Sequence, residues 1–224
     1  MADTDPMSEH WTAIQALAAK SLAVKVPGQL EPARYAQERA QRVIRCLERL
    51  APAVGERIER VDLAKVAALY AGVAQNVAGP GKAADEEAYG DAAELASDQL
   101  KDLLPQNDLE LMLRILQEQR RRDTKLPEAK LLADALAMEE FGLIGLWNIN
   151  RQFHASGKSL EQLLKLWKAQ HDYSYWESRL REGFHYDVAR RAAKDRLAHM
   201  KGFYERLHRE NNCEDIGGSV LGHF

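Results

Sequence analysis

The stretch VAALYAGV, Val66 to Val73, decides how this chain is read. Val66, Ala67, Leu69, Tyr70 and Val73 recur at helical spacing with no charged residue among them, so the spacing predicts a helix over about 61–77 that is buried rather than laid on a surface. A helix of that kind needs others around it. On its N-terminal side the chain carries two helical patterns. The first starts at Ser8, an N-cap residue type, sets Trp11, Ile14, Leu17, Ala18 and Leu22 on one face, and stops at Pro27 and Gly28. The second runs from about Glu31 to Leu50 with Val43, Ile44, Leu47 and Leu50 inward, and Pro52 and Gly55 lead out of it.

Beyond the opening stretch, AGPGKAADEEAYG reads as a loop, with Asp85 or Glu86 beginning a helix that runs toward Leu104. Pro105 and Asn107 punctuate before the next helix, DLELMLRILQEQRRR. The long segment PEAKLLADALAMEEFGLIGLWNINRQF follows Leu126 and opens on Pro127, which suits a first helical position. Ser159 and Gln162 form the S-x-x-Q pattern of a capping box for LEQLLKLWKAQ. Gly183 precedes a final amphipathic helix, HYDVARRAAKDRLAHMKGFYERLHRE. No run of alternating β-branched residues bounded by hairpin turns occurs, so the expected fold class is all-α, a single helical domain over 1–216 with 217–224 as a flexible tail.

The totals narrow the function. With 46% hydrophobic residues in 224, the chain has material for a real core, and the net charge of −3, from 31 basic and 34 acidic residues, does not favour a phosphate backbone or an anionic membrane. No apolar run approaches the ~20 residues that span a bilayer, and MADTDPMSEHW lacks the order of a signal peptide, which together point to a cytoplasmic protein. Cys46 and Cys213 lie far apart and form no redox or metal spacing; Cys46 reads as a core residue and Cys213 as a tail thiol.

The order of these helices resembles the HD-domain superfamily, all-α proteins whose active members are metal-dependent phosphohydrolases. RAQRV, Arg39 to Val43, resembles the first element of that pattern, of the form HxxRV. AALYAGV resembles the second, AALLHD, and ADALAMEEFGLIG, Ala133 to Gly145, resembles the third, which carries a distal aspartate. The closing ARRAAKDRLAHMKGFYERLHRE has the texture of the family's last helix. The likeness covers roughly residues 31–210 and implies an HD-domain-like helical bundle. The departures fall on the ligands: the histidine position is Arg39, the His-Asp pair is Ala71 and Gly72, and the ligand aspartate is Leu136. A divalent cation needs several oxygen or imidazole donors, and these four residues supply none. The family's activated water depends on the metal, so the resemblance implies that metal, cofactor and hydrolysis are all lost.

A guanidinium at Arg39 puts a fixed charge near the vestigial site. Turned inward, it would pair with Asp134, Glu139 or Glu140, and Arg114 would belong to the same cluster; turned outward, both lie on solvated faces. The inward form is either an anion-binding pocket or a salt-bridged plug. The literal His171–Asp172 pair has no matching distal aspartate and reads as coincidence, and His154, His185 and His199 are scattered. In YSYWESRLREGFHY, the aromatic residues Tyr173, Tyr175, Trp176 and Phe184 read as pinning an irregular connection to the core, against a nucleobase-stacking alternative. RRRDTK reads as a solvated helix end. The expectation is a degenerate HD-like domain without catalytic residues, acting as a regulatory or interaction module toward a protein partner, a second copy of itself, or an anionic small molecule. Neither a membrane nor nucleic acid is an expected partner. The alternative is a phosphohydrolase or lyase that uses Asp134, Glu139, Glu140 and the arginines, or relocated metal ligands.

Overall fold

In the computed structural model, which describes residues 6–23, 32–78 and 84–216, every regular element is helical. The described residues form ten α-helices: α1 (Pro6–Leu22), α2 (Pro32–Leu50), α3 (Val61–Ala78), α4 (Glu86–Leu100), α5 (Gln106–Glu118), α6 (Pro127–Ala137), α7 (Gly142–Ala155), α8 (Leu160–Asp172), α9 (Tyr175–Glu182) and α10 (Asp187–Asn211). Short 3-10 turns follow α2 at Ala51–Ala53 and α6 at Met138–Glu140. The all-α class is as expected. Pro27, Gly28, Glu31 and the 217–224 tail lie outside the described residues.

The chain divides into two compact units, residues 1–139 with 185–189, and 140–184 with 190–224. The first is built around α3. Leu63, Ala64 and Val66 through Ala74 are all buried, because a helix apolar all round must be covered on every side. The helices α1, α2, α4, α5 and α6 cover it. The small side chains of Ala64, Ala67, Ala68, Ala71, Gly72 and Ala74 allow these neighbours a close approach.

Local chemistry sets three of the helix starts. Asp85 caps α4, its carboxylate accepting the Ala88 N–H at 3.0 Å. Pro127 opens α6. Ser159 and Gln162 form both hydrogen bonds of the capping box on α8.

Two expectations change. The long segment from Pro127 is not one helix. It stops at Ala137 and restarts at Gly142, whose φ of +75° belongs to the left-handed region that only glycine enters freely. A side chain at Gly142 would also meet Arg196 Cβ at 3.0 Å. The YSYWESRLREGFHY connection is not irregular but contains α9, and its aromatics divide. Trp176 and Phe184 are buried in the second unit against Phe141, with ring centroids 5.5 Å away in each case, whereas Tyr173 is 85% exposed. Trp167 stacks on Tyr204 at 3.9 Å in the same unit. Cys46 is half-buried and Cys213 exposed, and neither is in a disulfide.

Candidate functional site

Arg39 and Arg42 stand three residues apart on one face of α2, and both turn toward Glu139 in the 3-10 turn after α6. Arg42 holds the Glu139 carboxylate by two oxygens, with Nε donating to Oε1 at 3.1 Å and Nη2 to Oε2 at 2.8 Å. Arg39 approaches Oε2 only to 4.0 Å through Nε. The side chains are 19% exposed for each arginine and 8% for Glu139, so the pairs are shielded from most of the screening that weakens surface ion pairs. Burial works against the Arg42 charge, but the Glu139 carboxylate outweighs it and raises the pKa further above its usual value. The Tyr35 ring lies 5.8 Å from the Arg42 guanidinium.

Ala71 and Gly72 are sealed in α3. A Cβ at Gly72 would stand 3.4 Å from Leu22 Cδ2 and 3.6 Å from Ala40 Cβ, so the His-Asp position of the resemblance is packed against α1 and against the residue that follows Arg39. Leu136 is half-buried on α6, about one turn before Glu139. The helices that carry these positions, α2, α3 and α6, pack on one another.

The other site residues go elsewhere. Asp134 is completely buried and accepts the backbone N–H groups of His185 at 2.7 Å and Tyr186 at 2.9 Å, just before α10. Glu140 pairs with Arg179 in the second unit, at 2.6 Å. Arg114 does not join the inward cluster; its side chain is 61% exposed and pairs along α5 with Glu118 at 2.6 Å. It sits on the solvent face because Met112, Ile115 and Leu116 occupy the buried one. His171 is exposed and Asp172 pairs with Lys168 at 2.9 Å, an ordinary helix-surface contact. Among the described residues no three His, Cys, Asp or Glu side chains converge as metal ligands would.

Sequence reasoning passed over Arg42, Tyr89 and Gln119, and took Arg120 as the start of a solvated helix end, where it is exposed. Arg42 was in plain sight as the fourth residue of RAQRV, on Arg39's face. The Arg120 guanidinium lies 5.2 Å over the Tyr89 ring. Burial raises the pKa of the Tyr89 hydroxyl, partly offset by the charge of Arg39, a hydrogen bond with the Gln119 side chain and the charge of Arg120.

Fold and site define an all-α protein whose central helix is sealed by small residues and whose interior charges meet as arginine and glutamate. No family model and no curated protein matches the chain. Among solved structures it is similar to Bacillus subtilis YpgQ in its selenomethionine form, at a TM-score of 0.62 and 16% identity over 98% of this chain and 100% of that one. It is also similar to Bacillus subtilis YpgQ in complex with ADP, at a TM-score of 0.60 and 16% identity over 96% and 98%. At that identity the likeness is one of fold. No helix among the described residues is long and apolar enough to cross a membrane.

Proposed function

We propose that this is a cytoplasmic, catalytically inactive HD-like protein that acts by binding, as a regulatory or interaction module, with an anionic small molecule as its ligand in the remodelled pocket. The observation that carries the reading is the Arg42–Glu139 clasp with Arg39 beside it. Where the resemblance calls for a metal ligand, a guanidinium stands, and the nearest carboxylate is already bound. A cation would meet fixed positive charge there, and an anion would be drawn in. The sealed Ala71 and Gly72 support the same reading, since they offer no donor. YpgQ, of similar fold, has been solved in complex with ADP, which favours a phosphate-bearing ligand for this scaffold. A protein partner, including a second copy, would find Leu143 and Trp147 exposed one turn apart on α7. The phosphohydrolase or lyase alternative requires Asp134, Glu139 and Glu140 to leave the partners they hold.

The test is an assay of the purified chain against nucleotides and phosphomonoesters with manganese, nickel or iron added. No turnover above the metal-only blank is expected. Turnover that rises with protein concentration and disappears with chelator would overturn the proposal.

A further inference from the structure

The Arg42 guanidinium has a second edge. Of the five N–H groups of an arginine side chain, Glu139 takes one on Nε and one on Nη2, and the other three meet no acceptor among the described residues. Arg42 also lines a cavity of about 550 Å³ on the outer face of α2, together with Arg34, Gln37, Glu38, Gln41 and Arg45. One edge of the guanidinium is thus fixed by a buried carboxylate, and the N–H groups it can still offer are those of the residue's cavity side.

The rest of the lining offers donors too. Arg45 follows Arg42 by three residues, which sets the two side chains side by side on the helix surface. Neither Arg45 nor Gln41 makes a hydrogen bond or ion pair among the described residues, and Gln37 makes one long bond, to the Ala19 carbonyl at 3.5 Å. The one acid of the lining, Glu38, is held by Arg34 at 3.0 Å. Three arginines against one glutamate leave the lining at +2, in a chain whose net charge is −3. No apolar side chain among the described residues lines it, so a hydrophobic ligand does not fit. The volume lies within the roughly 300–1,000 Å³ of small-molecule sites, well beyond what a lone phosphate or sulfate fills.

Resting on the reading of the chain as a binder of an anionic small molecule, we propose that the α2 cavity is the ligand site, and that the ligand is a small polyanion whose adjacent acidic groups are held by Arg42 and Arg45, with its polar body against Gln37 and Gln41. Guanidinium forks match the oxygen pairs of phosphate and carboxylate alike, and carboxamides both donate and accept. Glu139 is a positioning residue here: it fixes the arginine that meets the ligand. The vestigial metal position lies instead on the buried side of α2, where a Cβ at Gly72 would stand 3.6 Å from Ala40 Cβ.

The experiment is calorimetric titration of the full chain with inorganic tripolyphosphate in one arm and citrate in the other, at about 0.1 M salt, where a Debye length of ~10 Å damps diffuse attraction. The site variant is Arg45→Gln. Its control is Arg49→Gln, an exposed arginine one turn further along α2 that does not line the cavity. Both residues are exposed and neither pairs with another side chain among the described residues, so both variants keep the fold, as melting curves would verify. One saturable site per chain is expected in at least one arm, weakened about tenfold by Arg45→Gln and less than about twofold by Arg49→Gln, because only the first removes a charge-assisted hydrogen bond. The arm that binds tells phosphate from carboxylate as the acidic group. Saturable binding in neither arm, full affinity in Arg45→Gln, or equal weakening by Arg49→Gln, which would mean diffuse charge, each overturns the site. The non-catalytic reading is separate from these outcomes, since it falls only to metal-dependent turnover.

Discussion

The two units solve the problem of a core in opposite ways. In the first, small residues let helices approach closely, and each buried carboxylate is answered. Glu128 accepts the N–H groups of Glu59 and Arg60 at 3.2 and 3.0 Å, Asp134 those of His185 and Tyr186, and Glu139 the guanidinium of Arg42. In the second, Phe141, Trp167, Trp176, Phe184 and Tyr204 supply the contacts, while Leu143 and Trp147 remain 65% and 59% exposed. The contrast teaches that acidic residues inside the first unit are structural before they are chemical. A carboxylate that satisfies two backbone donors is not available as a general base, whatever motif it sits in.

If that is so, Asp134→Ala should be the most damaging single change in the molecule. It strips two backbone donors of their acceptor and leaves them buried, for a loss of about 3 kcal/mol or more in chemical denaturation. Asp134→Asn, which keeps one carbonyl, should lose about half as much. A mild Asp134→Ala would erase the distinction drawn between the units.

The second unit should break at a glycine instead. A Cβ at Gly145 would collide with the Glu140 carbonyl oxygen, so Gly145→Ala must push α7 off the turn before it. We expect a loss of about 2–3 kcal/mol, read by tryptophan fluorescence, since Trp147, Trp167 and Trp176 all belong to this unit.

Gly72→Ala sharpens the comparison from the other side. Its added methyl would find ordinary contacts at 3.4 and 3.6 Å, and alanine is the better helix former, so denaturation should show a gain of about 0.5–1 kcal/mol. Gly72→Asp, which restores the residue type of the resemblance, should instead cost several kcal/mol, because the carboxylate would be buried without a partner. If Gly72→Asp were tolerated, a cavity must lie where the packing shows none.

Much of the fold was legible because its signals are local. The uncharged run through Val66–Val73 marks α3, and Asp85, Pro127 and the Ser159–Gln162 pair mark helix starts by chemistry within four residues. The break at 138–141 was not legible. MEEFG continues an apolar helical pattern, and the reason it stops lies in Arg196 packing against Gly142 and in the approach of Glu140 to Gly145. At the site, Arg39 with Glu139 was within reach of charge pairing, and the i, i+3 spacing to Arg42 would have extended it. Asp134 was misplaced because its partners are backbone N–H groups more than fifty residues away, which leave no mark on side-chain sequence. Arg120 opens a run that reads as solvated, and only the fold lays its guanidinium over the Tyr89 ring.

The smallest expected effect is one of pH, and it tests whether the Asp134 anchor is as buried as the comparison requires. Burial lowers the pKa of the neighbouring His185 below the usual 6.5, and the charges of Arg122 and Lys130 lower it further. The unfolded chain therefore binds a proton at this residue before the folded one does. Stability should fall as pH drops from about 6.5 and stop falling once the folded-state value is passed, at a slope that one group holds below about 1.4 kcal/mol per pH unit. Glu56, Asp108 and Glu118, whose carboxyls are held below their usual values by Tyr186, Arg60 and Thr124 respectively, act in a separate and more acidic window. His185→Gln keeps the backbone N–H that Asp134 accepts and removes only the titration. Between pH 7 and 5.5 the parent should lose more stability than this variant in parallel urea melts. Parallel curves, or a parent that gains stability with acid, would mean that His185 meets water freely and that the start of α10 is less enclosed than Asp134's complete burial implies.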